Sequence, residues 1–137
     1  MSDSVSAAKF ERIRTAHQSE VMEDYVEMIS DLIAETGEAR AVDLAARFGV
    51  TSPTVNATIQ RLQREGLVET RPYRSIFLTE KGQQLADACR ERHKIVRDFL
   101  VMMGVSEEVA DADAEGMEHH ISDETLSLFQ KAIKKSQ

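Results

Sequence analysis

Ala41-Val-Asp-Leu-Ala-Ala-Arg-Phe-Gly49, continued by Val50-Thr-Ser-Pro-Thr-Val-Asn-Ala-Thr-Ile-Gln-Arg-Leu62, decides the fold. The first segment reads as a short helix that closes on a tight turn at Gly49. In the second, Ser52 stands where an N-cap belongs and Pro53 at the first helical position, where a missing N–H costs nothing. Val55, Ile59 and Leu62 follow at helical spacing and give this second helix an apolar inner face that stops near Gly66. A short helix, a glycine turn and a capped second helix make a helix-turn-helix. Leu67-Val-Glu-Thr70 and Ser75-Ile-Phe-Leu78 read as two short strands around a hairpin tip, Arg71-Pro-Tyr-Arg74. A hairpin directly after the second helix is a wing.

Working outward, Val21, Tyr25, Met28, Ile29, Leu32 and Ile33 form one apolar face of a helix that begins near Phe10 and is capped by Gly37. Residues 1–9, small and polar, read as a mobile arm. Downstream, Thr79 is the expected cap of a long helix to about Met103, Ser106 of one to about Ile121, and Ser122 of a last one over residues 123–135. The fold class is therefore mainly α with a small β wing, an N-terminal winged helix-turn-helix followed by a helical dimerisation domain. The expected boundaries are 1–20 for an N-terminal arm and the start of the first helix, 21–82 for the DNA-binding domain and 83–137 for the dimerisation domain. Val96, Phe99, Leu100, Val109, Leu126, Phe129 and Ile133 are the apolar positions expected at the dimer interface.

Composition sets the outer limits. With 42% hydrophobic and only 5% aromatic residues and no Trp, the core must be built largely from aliphatic side chains. A lone cysteine, Cys89, excludes an internal disulfide framework and reads as a small buried apolar residue. There is no apolar run long enough to cross a membrane, which places the expected protein in the cytoplasm, without a membrane partner. The formal charge of −7 argues at first against nucleic acid, but residues 38–81 carry seven basic and five acidic side chains, a net +2 that leaves −9 on the rest. A basic middle between acidic ends suits a DNA reader flanked by regions that attract cations.

On the second helix of the motif, Thr51, Ser52, Pro53, Thr54 and Asn56, with Gln60 one turn later, are placed to face base edges. Asn and Gln pair bidentately with adenine, whereas Ser and Thr discriminate less. Arg61 and Arg64, with the wing residues Arg71 and Arg74, suit phosphates or a groove. A solvated basic face of a protein-interaction module would use the same charges, but it does not require turn, cap and wing in this order.

The acidic flanks carry the second chemistry. In Asp113-Ala-Glu-Gly-Met-Glu-His-His120, Glu115, Glu118 and His119 stand at i, i+3 and i+4, on one helical face. In Met22-Glu-Asp-Tyr-Val-Glu27, Asp24 and Glu27 stand at i and i+3 on another helix. Packed together, with His93 as a sixth side chain, they would offer four carboxylates and two imidazoles. Such a set, with no thiolate, favours a hard or borderline ion of high coordination number, best Mn(II), then Fe(II); four carboxylates can bridge two ions. Taken alone, Asp24 and Glu27 are a solvated acidic face and His93 a polar residue beside a core. His120 lies off the shared face and reads as structural or supporting, and His17 as exposed.

The runs Met22–Ile29, Val50-Thr-Ser-Pro-Thr-Val55, Phe77-Leu-Thr-Glu-Lys-Gly82, Arg92-His93 and Asp113–His120 resemble the manganese transport regulators of the diphtheria-toxin-repressor family, in order over roughly residues 20–130. The resemblance implies metal ligands at Asp24, Glu27, His93, Glu115, Glu118 and His119. It also implies repression of manganese uptake genes when Mn(II) is bound; a homodimer on a palindromic operator in double-stranded DNA is what a winged-helix repressor requires, and the four carboxylates lead to an expectation of two ions per subunit. The iron-responsive branch carries sulfur at two ligand positions, where Asp24 and Glu115 stand here. Many of its members add an SH3-like domain after the point where this sequence stops. Both differences favour manganese. The alternatives are an iron-responsive regulator of the same family, or a winged-helix regulator of a non-metal ligand. Catalysis, and with it a small-molecule substrate, is not expected: neither a pair of Glu-x-x-His helices nor a His-Glu-x-x-His motif is present.

Overall fold

Thr51, not Ser52, caps the second helix of the motif, its Oγ1 accepting the backbone N–H of Thr54 at 3.4 Å. In this computed structural model, which describes residues 2–71 and 75–137 (the side chains of 2–4 excepted), that helix is α3, Ser52–Arg64, with Pro53 in its first turn. Two hydroxyl residues precede the proline, and the earlier one takes the extended cap conformation. Before it come α1, Ser2–Thr36; β1, Ala39–Arg40; and α2, Ala41–Phe48. After it come β2, Val68–Thr70; β3, Ser75–Leu78; α4, Glu80–Met102; α5, Glu107–Met117; and α6, Asp123–Ser136.

Two expectations change here. Helix α1 begins at Ser2, where the sequence reading places a mobile arm before Phe10; no glycine or proline interrupts residues 2–36, and Ala7, Ala8 and Lys9 are good helix formers. Helix α5 stops at Met117 rather than near Ile121. Glu118 is its C-cap, and residues 118–120 continue as a turn held by His120 N–H and Ile121 N–H on the Met117 carbonyl, each at 3.1 Å.

The chain forms two units, residues 21–87 and residues 1–20 with 88–137. In the first, α2 ends on Gly49, whose left-handed φ of 66° lets its N–H reach the Ala45 carbonyl. This is the turn that sets α3 at its angle to α2. A three-stranded antiparallel sheet follows, in the order β1-β3-β2, with Ala39 opposite Ile76 and Val68 opposite Leu78. The strand β1 is two residues long and carries no period that a sequence could display. Tyr25, Val26, Ile29 and Leu32 of α1 pack with Leu44, Val55, Ile59, Leu62, Leu67 and Ile76 into one core, and the Tyr25 ring stacks on Phe48 with centroids 4.5 Å apart.

In the second unit Cys89, Ile95, Val96, Ala110 and Ala114 are buried, and Phe99 stacks on Phe129 at 3.8 Å. Ser106 and Ser122 cap α5 and α6 through the N–H groups of Val109 and Thr125. Val96 is wholly buried within its own chain, so it serves this core rather than a dimer contact. Val109 and Leu128 are exposed, and α6 has no buried residue. An amphipathic helix left in that state has an apolar side to cover.

Candidate metal centre and nucleic-acid interface

His93 lies midway along α4, one turn beyond the buried Cys89, and its imidazole meets α5. Its Nδ1 stands 3.0 Å from Glu118 Oε2 and 3.7 Å from Glu115 Oε1. Its Nε2 stands 2.8 Å from Asp111 Oδ1. Glu118 is fully buried, an unusual state for a carboxylate, and Oε1 of the same group lies 3.3 Å from His119 Nε2. Thus His93, Glu115, Glu118 and His119 come together within one unit. The other two expected ligands, Asp24 and Glu27, stand one turn apart on α1 in the unit of residues 21–87, both half-buried.

The protons of His93 define what this group can do. A neutral imidazole has one N–H, and Asp111 and Glu118 present acceptors to opposite ring nitrogens. One answer is a second proton. Burial pulls the His93 pKa down, but the hydrogen bond to Asp111 and the charges of Glu118, Glu115 and Asp111 outweigh it and hold it above the ordinary imidazole value. The other answer is a cation among the Nδ1 lone pair and the two glutamates. One ligand atom from each of His93, Glu115 and Glu118 lies within 4.8 Å of the others. Nδ1 itself is buried without a geometrically satisfactory hydrogen bond. The donors are carboxylate oxygen and imidazole nitrogen, which fits a hard or borderline divalent ion. Cys89 is not among them; its sulfur accepts from Arg92 Nη2 at 3.3 Å.

Two residues at this centre escape the sequence reading. Asp111 is one turn before Glu115, so Asp111, Glu115 and Glu118 stand at i, i+4 and i+7, a spacing that could have revealed it. Glu20 pairs with His120, Oε2 to Nε2 at 3.0 Å; a contact across 100 positions leaves no local signal.

In the unit of residues 21–87, Thr51, Ser52, Pro53, Thr54, Asn56, Gln60 and Arg64 are exposed on α3 and its cap, and Arg61 is half-buried. Thr51 and Thr54 share a hydroxyl contact at 3.0 Å, which occupies part of their capacity in the cap itself. Ser52 and Asn56 line a concavity of about 630 Å3 with Arg40, Val42, Thr70 and Arg71. Arg71, on the wing, holds its guanidinium 5.0 Å over the Phe77 ring. Arg74 lies outside the described residues. Arg40, absent from the expected set, belongs to β1 and is paired with Glu38 at 2.6 Å.

Residues 17–76 match the family described as iron dependent repressor, N-terminal DNA binding domain, and residues 79–137 match iron dependent repressor, metal binding and dimerisation domain. This chain belongs to the iron-dependent repressor family. The diphtheria-toxin-repressor resemblance drawn from its motifs is thereby established, as is a fold of DNA-binding and dimerisation domains. Among curated relatives, the transcriptional regulator MntR of Escherichia coli O6:H1 is 55% identical over 126 residues, 92% of this chain and 81% of that one. MntR of Salmonella typhimurium is 55% identical over 120 residues, 88% and 76% of the two chains. A solved manganese-dependent transcriptional repressor in complex with manganese superposes with a TM-score of 0.73 at 27% identity over 82% of this chain. The chain spans about half, 52%, of the length of that repressor. These relatives are transcriptional regulators, and DNA and a second copy of the chain are the partners that the family's two domains imply. Among the described residues no helix is long and apolar enough to cross a membrane.

Proposed function

We propose that this chain is a manganese-responsive, DNA-binding transcriptional regulator of the cytoplasm, without catalytic activity, that represses manganese uptake genes when Mn(II) is bound. The observation that carries the reading is the buried Glu118 carboxylate facing Nδ1 of His93, with Glu115 beside it. The names and manganese dependence of the relatives support the choice of metal. Oxygen donors at Asp24 and Glu115 support it further. In this reading the residues that would hold the metal are Asp24, Glu27, His93, Glu115, Glu118 and His119, and their four carboxylates and two imidazoles would offer donors enough for two ions per subunit.

Bound Mn(II) supplies positive charge and coordination positions for hard donors. The chain's own residues do the rest. Were the two halves of the ligand set to meet without metal, the ionised Asp24 and Glu27 would repel Glu115 and Glu118. A cation held by those groups would cancel the repulsion, and Asp24 and Glu27 would then tie α1 to the dimerisation region. The α3 helices of a dimer must enter successive major grooves roughly 34 Å apart, and fixing α1 restricts each reader to that spacing on a palindromic operator. Metal affinity and DNA affinity are then linked reciprocally.

The test is fluorescence anisotropy of a labelled palindromic uptake-gene promoter fragment at fixed salt, with protein in EDTA, then in Mn(II), Fe(II) and Zn(II) separately. Tight binding in Mn(II) but not in EDTA or Zn(II) is expected. Equal binding in all conditions overturns the metal switch, and binding driven by Fe(II) alone transfers the reading to iron.

A further inference from the structure

We propose that Asp111 is a positioning residue that holds His93 in the tautomer a metal ion needs; the inference rests on the reading that His93, Glu115 and Glu118 hold Mn(II). Asp111 Oδ1 lies 2.8 Å from His93 Nε2, and an ionised carboxylate can only accept. The contact therefore keeps a proton on Nε2. In the neutral ring the lone pair then resides on Nδ1, the atom that faces Glu118 at 3.0 Å and Glu115 at 3.7 Å. With Asp111 removed, the acceptors that remain against the ring are the two glutamates, and they draw the single proton to Nδ1. A proton there occupies the lone pair that would bind the ion. A carboxylate behind a ligating imidazole both orients the ring and selects its tautomer.

The surroundings fit this role. Arg97 stands one helical turn beyond His93 on α4, and its Nε lies 3.7 Å from the same Asp111 oxygen. Two side chains of α4 thus brace one carboxylate of α5. Asp111 is also 59% exposed, so replacing it removes no core packing. Its carboxylate oxygen is engaged by Nε2, and the glutamate oxygens converge on the opposite edge of the ring. The two edges have separate tasks.

The experiment compares wild type, Asp111→Ala and Asp111→Asn, full length, in two measurements. Nitrogen-15 shifts of the labelled imidazoles in metal-free protein, at a pH where His93 is neutral, report its tautomer. Competition with a metallochromic chelator reports Mn(II) affinity. Wild type is expected as the Nε2–H tautomer. The asparagine variant keeps a carbonyl acceptor and is expected to keep that tautomer and most of the affinity. The alanine variant is expected to shift toward Nδ1–H and to lose about 10–100-fold in affinity. An alanine variant with unchanged tautomer overturns the inference, whatever its affinity. Wild type that fails to bind Mn(II) overturns the manganese reading instead, while the tautomer measured without metal still decides what Asp111 does.

Discussion

Gly82 runs so close to Leu67 that a Cβ placed on it would collide with the Leu67 carbonyl oxygen. That carbonyl accepts the N–H of Thr79 at 3.0 Å, the residue whose hydroxyl caps α4 through the Gly82 N–H at 3.1 Å. The residue that leads into β2 and the first turn of α4 are therefore brought together at one glycine.

Exchanging that glycine for alanine has a defined sign. In an open helix interior, Gly→Ala stabilises by about 0.5–1 kcal/mol. At Gly82 the added methyl displaces backbone, and Gly82→Ala should instead destabilise by about 1–3 kcal/mol, as overpacking does. At Gly116 on α5 nothing lies within 4 Å of the position a methyl would take, so Gly116→Ala should stabilise by the usual amount of about 0.5–1 kcal/mol. Urea denaturation of both variants at one protein concentration checks the opposite signs.

Glu118→Ala should abolish the metal response while sparing the fold. A fully buried carboxylate is costly to keep, and its replacement by a small apolar group relieves that cost as it opens a cavity. The metal-free fold should persist but melt lower, because His93 loses the carboxylate that faces it at 3.0 Å. The roughly 5–150-fold tightening of operator binding typical of a coupled effector should disappear. Anisotropy titrations with and without Mn(II), beside a thermal melt in EDTA, measure both. Metal-dependent operator affinity that survives the substitution would remove Glu118 from the site.

Acid should weaken metal binding through His93. Its pKa is held above the ordinary value, so the proton that Mn(II) must displace begins to compete at a higher pH than at an unperturbed imidazole. Affinity should fall as pH drops through that raised value, by up to about tenfold per pH unit for one displaced proton. The metal-free fold responds in the opposite sense. A raised folded-state pKa contributes stability that is fully present below the unfolded imidazole value of about 6.5 and is lost as pH rises through the folded one. Titration calorimetry in buffers of different ionisation enthalpy counts the released proton. A His93→Gln protein should lose that proton and the pH slope that goes with it.

Much of this architecture is written in local chemistry. The glycine at 49, the hydroxyl caps at 79, 106 and 122, and the inner face of Val55, Ile59 and Leu62 are each set by residues within a turn or two, and each can be read directly. The cap of α3 sits one residue earlier than the sequence suggests because two adjacent hydroxyls, Thr51 and Ser52, compete for one role. Strand β1 is invisible in the sequence because Ala39 and Arg40 become a strand only by pairing with Ile76 and Ser75, far along the chain. At the candidate metal centre, Glu115 and Glu118 show their helical spacing openly. Asp111 shows it too, but Glu107, Glu108 and Asp113 surround it in sequence and mask its one distinctive contact.

The DNA reader should separate base recognition from charge. Asn56 is exposed on α3 in the concavity shared with Ser52 and Arg71, and its amide can pair with an adenine edge. Asn56→Ala should cost about 1–3 kcal/mol on the operator and flatten the preference at one base pair, with the salt dependence unchanged. Arg64, exposed near the end of α3 and away from its N-terminal turn, is placed for a phosphate contact through charge and N–H donors. Arg64→Ala should weaken operator and unrelated DNA alike and reduce the slope of log affinity against log salt by about 1. Mn(II)-loaded protein titrated onto operator, single-base variants and random DNA at several salt concentrations resolves the two effects. If Asn56→Ala weakened every sequence equally, the face of α3 that carries Asn56 would be a phosphate contact, and the base-reading residues would have to be sought on the wing.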